Sequence, residues 1–178
     1  MAIVKNNYVK QNGREKANIK ATIRYIQNRP GQDKAKTSRT LFGWDGLMER
    51  KDAYRMIDET EKGSVFWRFI ISPDPATEDK MRDLQMREIT EKTMSSLETH
   101  IKREVQWVAA IHADHSPNRH VHIVAVLPGR ISREAFTALP SALRDAATEA
   151  CAEQRRTRDL LLEKQTRERE ADEWEREY

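Results

Sequence analysis

Hydrophobic and polar positions recur along this chain with two different periods, and the switches between them outline short strands and helices. Residues 3–9 read as a short strand ahead of the turn-prone QNGRE. Ile19, Ile23 and Ile26 fall at helical spacing and predict a helix over residues 19–28. Arg29-Pro30-Gly31 should stop it, because proline lacks an N–H and a Pro-Gly pair breaks helices. Residues 33–46, rich in Lys, Thr and Gly, read as extended or loop, and residues 50–61 as a helix ending before Gly63. VFWRFIIS at 65–72 is the clearest strand, dense in aromatic and β-branched residues. Asp74 is expected to cap a helix with Pro75 at its first position. That helix would run to about Arg103, with Met81, Leu84, Ile89, Leu97 and Ile101 along one face.

Two more apolar strands follow, at 105–112 and 120–127, and the Asp, Ser, Pro and Asn between them fit a hairpin connection. From Ser141 the chain carries Ala, Glu, Gln and Arg without Pro or Gly, which predicts one long helix to Tyr178. Its first part presents Leu143, Ala146, Ala147 and Ala150; beyond Glu153 it is nearly all charged apart from residues 160–162 and Trp174. Strands joined by a hairpin and mixed irregularly with helices argue for an α+β fold. The expectation is a central antiparallel sheet flanked by helices, with a long C-terminal helix. Residues 1–140 would form the globular domain, and 141–178 a charged helix that either extends it or links it onward.

Composition narrows the picture. With 178 residues, 38% hydrophobic and 34% charged, the chain has enough length for one domain with its own core. No stretch nears the ~20 apolar residues of a membrane span, so membrane insertion is not expected. The N-terminal residues lack an apolar signal core, and Cys151, the one cysteine, has no partner for an internal disulfide, which points to the cytoplasm. The net charge of +3 hides an asymmetry. The first forty residues hold ten basic side chains against Glu15 and Asp33, about +8, leaving about −5 for the rest. Such a basic segment suits a polyphosphate partner, since each neutralised phosphate releases counterions. Phe42 and Trp44, beside it, are candidates for stacking on unpaired bases.

Four of the five histidines lie between His112 and His122. His120 and His122 are two apart in a strand, so both imidazoles share a face while Val121 and Ile123 turn to the core. A hairpin would bring His112 beside them. Three neutral imidazoles converging with positions left open suit a catalytic divalent metal. Asp114 is placed either to orient an imidazole from behind or to serve as an ordinary loop acid. His115 reads as a bystander and His100 as structural. Mn²⁺ or Mg²⁺ is the expected ion; Zn²⁺, Ni²⁺ and Co²⁺ also suit imidazole, and Mg²⁺ is the least natural with three nitrogens. A metal site alone leaves the reaction open.

The segment QWVAAIHADHSPNRHVHIVAV resembles the third motif of conjugative and mobilisation relaxases, single-strand DNA endonucleases of the class named for a His-hydrophobic-His pair. IRYIQNRPG is similar to that family's N-terminal tyrosine motif, and RFIISPD to its second motif. The resemblance spans roughly residues 19–126, in the family's order of tyrosine first and histidines later. It implies that Tyr25 is the nucleophile, attacking in line to leave a 5′-phosphotyrosine and a free 3′-hydroxyl. It also implies that His112, His120 and His122 hold the metal and that Ser72 helps hold the DNA. Arg24, Arg29, Lys34, Lys36 and Arg39 would be phosphate contacts. The implied partner is single-stranded origin-of-transfer DNA, with accessory or coupling proteins. An idle origin-binding module of the same fold and a phosphoesterase using metal-activated water are the rival readings. The chain is smaller than most relaxases, which fits a compact or truncated version.

Overall fold

The computed structural model describes residues 2–31, 37–113, 118–129 and 131–177. Its elements run β1 (Ile3–Lys10), α1 (Gly13–Asn28), β2 (Leu41–Gly43), β3 (Gly46–Met48), α2 (Arg50–Asp58) and β4 (Val65–Ser72), followed by α3 (Met86–Ile101), β5 (Gln106–His112), β6 (His120–Leu127) and α4 (Arg133–Glu177). The six strands form one antiparallel sheet in the order β1-β4-β6-β5-β2-β3. This is the expected α+β architecture, with helices on both faces and a long final helix.

Strand parity sorts the apolar residues into two cores. On one face Trp67, Phe69, Ile71, Val121, Ile123 and Ala125 pack under α3 and α4, which contribute Ile89, Met94, Leu97, Leu139, Leu143 and Ala147. On the other face Phe66, Val108, Ala110, Val124 and Val126 meet Ile19, Ile23 and Ile26 of α1 and Met56 and Ile57 of α2. Each of the three fully buried isoleucines of α1 stabilises the fold by about 2 kcal/mol through the area it removes from water. Both faces of β5 and β6 are thus covered, and the histidine face is itself a core along most of its length.

Several boundaries differ from the sequence expectation for physical reasons. Helix α1 begins six residues earlier, because Asn12 caps it through a hydrogen bond from the Glu15 N–H to its Oδ1 (2.9 Å). That first turn is polar, so hydrophobic periodicity does not report it. Within the segment read as extended or loop, β2 and β3 form a tight hairpin around Trp44-Asp45, with Gly46 at φ +94° supplying the left-handed backbone. Helix α3 starts at Met86 rather than at Pro75. The Asp74 carboxylate accepts the Ala76 N–H (2.8 Å) and begins only a series of turns, which Arg82 interrupts with φ +54°. Met81 is accordingly exposed, not on a helical core face.

Helix α4 starts at Arg133, capped by Ser132 Oγ on the Ala135 N–H (3.1 Å), and runs through Pro140. An interior proline costs about 3 kcal/mol. Burial of Leu139, Leu143, Ala147, Ala150 and Cys151 against the sheet and α3 offsets it. His100 joins the two helices through the carbonyl of Ala135 (3.2 Å), a structural contact. Among the described residues no helix is long and apolar enough to cross a membrane.

Candidate metal centre and adjoining cleft

The antiparallel register sets His112 of β5 directly opposite His120 of β6, and Ala110 opposite His122. Paired residues share a face, so the three imidazoles converge at one end of the sheet, where the α1-side core stops. Their ring centroids lie 4.6–5.2 Å apart. Their candidate ligating nitrogens all fall within 4.8 Å of one another.

Hydrogen bonding defines which nitrogens face inward. His112 is fully buried and donates from Nε2 to the carbonyl of Ile26 (2.7 Å). That carbonyl is available because the residue four places on is Pro30, which has no N–H to close the helical bond. The neighbouring ends of α1 are also taken: the Arg39 N–H donates to the Gln27 carbonyl (2.9 Å) and Arg39 Nη1 to the Arg29 carbonyl (2.8 Å). His120 donates from Nδ1 to the carbonyl of Asn118 (3.0 Å). This leaves Nδ1 of His112 and Nε2 of His122 buried without a hydrogen-bond partner among the described residues. A buried acceptor without a donor is costly, and a divalent cation would satisfy both. The residues present fit a metal.

Burial pushes the His112 imidazolium down to about 4, opposed by its bond to Ile26 and reinforced by the Arg39, His120 and Arg29 charges. His122 is pushed down to about 3 by burial and by the neighbouring His112, His120, Arg29 and Arg39. Both are therefore neutral near pH 7, the state that ligates metal.

Beside the triad lies an open cleft of about 580 Å³ between α1 and the β1-β4-β6 part of the sheet. Tyr25 stands on its α1 wall, 52% exposed, and His122 on its inner side. The Arg29 guanidinium sits 5.8 Å from the centre of the Tyr25 ring. Tyr25, Arg29 and the histidines are thus brought together. Ser72 is half-buried on the same sheet face, two residues beyond Ile70, the partner of His122. Arg24 is exposed on α1. Arg39 is only 9% exposed and braces the end of α1, so its charge reaches the site from within the fold. Asp114, Lys34 and Lys36 lie outside the described residues. Phe42 is buried edge-on to Trp107 (5.9 Å between centroids), and this removes it as a base-stacking platform. Trp44 is exposed, but the hairpin carries it past Val108, toward the opposite end of the sheet from His112.

Two features escaped the sequence reading. Arg119, immediately before His120, forks onto the buried Asp79 (Nε to Oδ2 2.7 Å, Nη2 to Oδ1 2.6 Å) and also reaches the Leu84 carbonyl (3.0 Å). The pair ties the start of β6 to the segment before α3. The cleft floor, moreover, carries Lys5, Asn7 and Arg68. A lone arginine in a strand pattern signals only an outward position, so nothing in the sequence marked it.

A family profile described as relaxase, MobA/VirD2-like, nuclease domain matches residues 8–160. The chain belongs to this relaxase family. The match runs from β1 into the second half of α4 and includes Tyr25, Ser72 and all three histidines. No curated protein and no solved structure matches the chain. Relaxase-family membership supports DNA relaxase function in general, and the histidine cluster gives this relaxase domain a group of ligands that could hold a metal.

Proposed function

We propose that this relaxase domain nicks and rejoins one strand of origin DNA for mobilisation, through a 5′-phosphotyrosine on Tyr25 and with a divalent metal held by His112, His120 and His122. One observation carries the reading: the carbonyl of Ile26, the residue after Tyr25, accepts the His112 Nε2–H, and Tyr25 and His122 line the same cleft. Nucleophile and ligand set are therefore held by a shared piece of backbone.

In this reading the Tyr25 phenolic oxygen forms a bond to phosphorus as the bond to the 3′-oxygen breaks. The phenolic proton passes to solvent or a nearby base, and the departing 3′-oxygen ends as a hydroxyl. The ester retains the bond energy, so the 3′-hydroxyl can reverse the step at the same site. When bound, the metal supplies Lewis-acid stabilisation of charge on the scissile phosphate, with Mn²⁺ or Mg²⁺ the expected ion and Zn²⁺, Ni²⁺ or Co²⁺ compatible with the imidazoles. Arg29, beside the Tyr25 ring, attracts the approaching phosphate and the charge that develops on it. Arg24 and Ser72 are assigned to the bound strand, as are Lys34 and Lys36 from outside the described residues, while Arg39 acts by its field; Asp114, also outside the described residues, is assigned to orienting an imidazole of the ligand set. The single cysteine, buried as a free thiol, suits a reducing cytoplasm.

End-labelled single-stranded origin DNA, incubated with protein and Mn²⁺ and run on a denaturing gel, tests this. A covalent band lost in both Tyr25→Phe and His120→Ala is expected. Binding without an adduct would instead indicate an idle origin-binding module. Cleavage that survives Tyr25→Phe would indicate metal-activated water.

A further inference from the structure

We propose that Arg68 is the seat of a second DNA phosphate, the neighbour of the scissile one, so that the cleft floor fixes the strand at two successive phosphates. The inference rests on the nicking reading for its substrate and deepens it.

Arg68 lies on β4 opposite Val124, and Ile70 lies opposite His122, so Arg68 is one strand across and two residues along from the triad. At ~3.4 Å per residue and ~4.8 Å between strands, its backbone is roughly 8 Å from that of His122. This is about the separation of neighbouring phosphates along an unstacked strand. Parity puts it on the same face as His122, and it lines the same cleft as Tyr25.

Its electrostatic situation is unusual for a half-buried cation. Arg68 Nε is buried without a hydrogen-bond partner among the described residues. Its cross-strand neighbour on β1 is the neutral Asn7, and Lys5 stands two pairs further along, opposite Ile70. Among the described residues lining the cleft there is no Asp or Glu. A half-buried guanidinium with its Nε off water and no acid among the cleft-lining residues is a costly arrangement for stability alone. It is the arrangement that a phosphodiester completes, because the planar fork matches phosphate oxygens in a bidentate way.

The test is anisotropy titration of a short fluorescein-labelled single-stranded oligonucleotide with the Tyr25→Phe protein and Mn²⁺, over a series of salt concentrations. Adding Arg68→Gln should weaken binding about tenfold and reduce the slope of log affinity against log salt by about 0.7, the share of one single-strand phosphate. Arg68→Lys should keep the slope. Asn7→Asp hands Arg68 an internal partner across the strand pair, so it should weaken DNA binding while leaving the melting temperature equal or higher. Mn²⁺ affinity should be unchanged in all three. A folded Arg68→Gln protein with the parent's slope overturns the proposal; if that variant does not fold, Asn7→Asp with the parent's DNA affinity does so. The wild-type chain, run for covalent adduct on the same oligonucleotide, keeps the two claims apart. An adduct with no slope change defeats the phosphate seat alone, and a slope change with no adduct defeats the nicking reading alone.

Discussion

At the scale of single residues, Pro30 sets up the metal site without touching it. Because it has no N–H, the Ile26 carbonyl stays open at the end of α1 and accepts the His112 ring, which fixes the tautomer and turns Nδ1 inward. Pro30→Ala would give that carbonyl a helical donor in competition with His112. Calorimetric titration should then show Mn²⁺ affinity reduced about tenfold in a folded protein, the size of effect seen when a ligand loses its orienting partner. An unchanged affinity would remove Pro30 from the account. The spacing of His120 and His122 was legible in the sequence because strand parity is a local rule. The bond from His112 to Ile26 was not, since it joins residues 86 apart. Arg68 was equally silent, its meaning lying in what does not stand opposite it.

At the scale of elements, β6 must begin in register for the triad to form, and Arg119 anchors that beginning to Asp79. The pair is nearly dry, with side chains 15% and 3% exposed, so removing one charge strands the other. Asp79→Asn should lower unfolding free energy by about 3 kcal/mol in urea titration and weaken metal binding through displacement of His120. A variant as stable as the parent would show that the pair is not the anchor. Strands β4 and β6 were read to their observed ends, because alternating β-branched and aromatic residues report burial directly. The polar start of α1, the three-residue strands of the β2-β3 hairpin and the turns after Asp74 were not, as each is fixed by capping, glycine geometry or distant partners rather than periodicity.

At the scale of the whole molecule, three layers enclose two cores and leave the β1-β4 margin of one face open, which makes the cleft. The same burial that shapes the site links it to stability. His112 and His122 titrate near 4 and 3 when folded, against ~6.5 in an unfolded chain. As pH falls from 7 to about 5.5 the unfolded state takes up protons that the folded state refuses, so metal-free protein should lose stability over that window. The urea midpoint of chelator-treated protein should be lower at pH 5.5 than at pH 7, above the range where carboxylates titrate; equal midpoints would contradict buried neutral imidazoles. The basic N-terminal forty residues, legible from composition, supply Lys5 and Tyr25 to the cleft and Arg29 beside the Tyr25 ring, whereas Arg68 comes from the strand at residues 65–72, where the sequence reading singled out Ser72 alone. The most direct test of the central claim is to digest the covalent protein–DNA adduct and locate the nucleotide by mass spectrometry. The account predicts a 5′-phosphonucleotide on the peptide containing Tyr25, and attachment at Tyr8 or Tyr54, or cleaved DNA with no attached peptide, would contradict it.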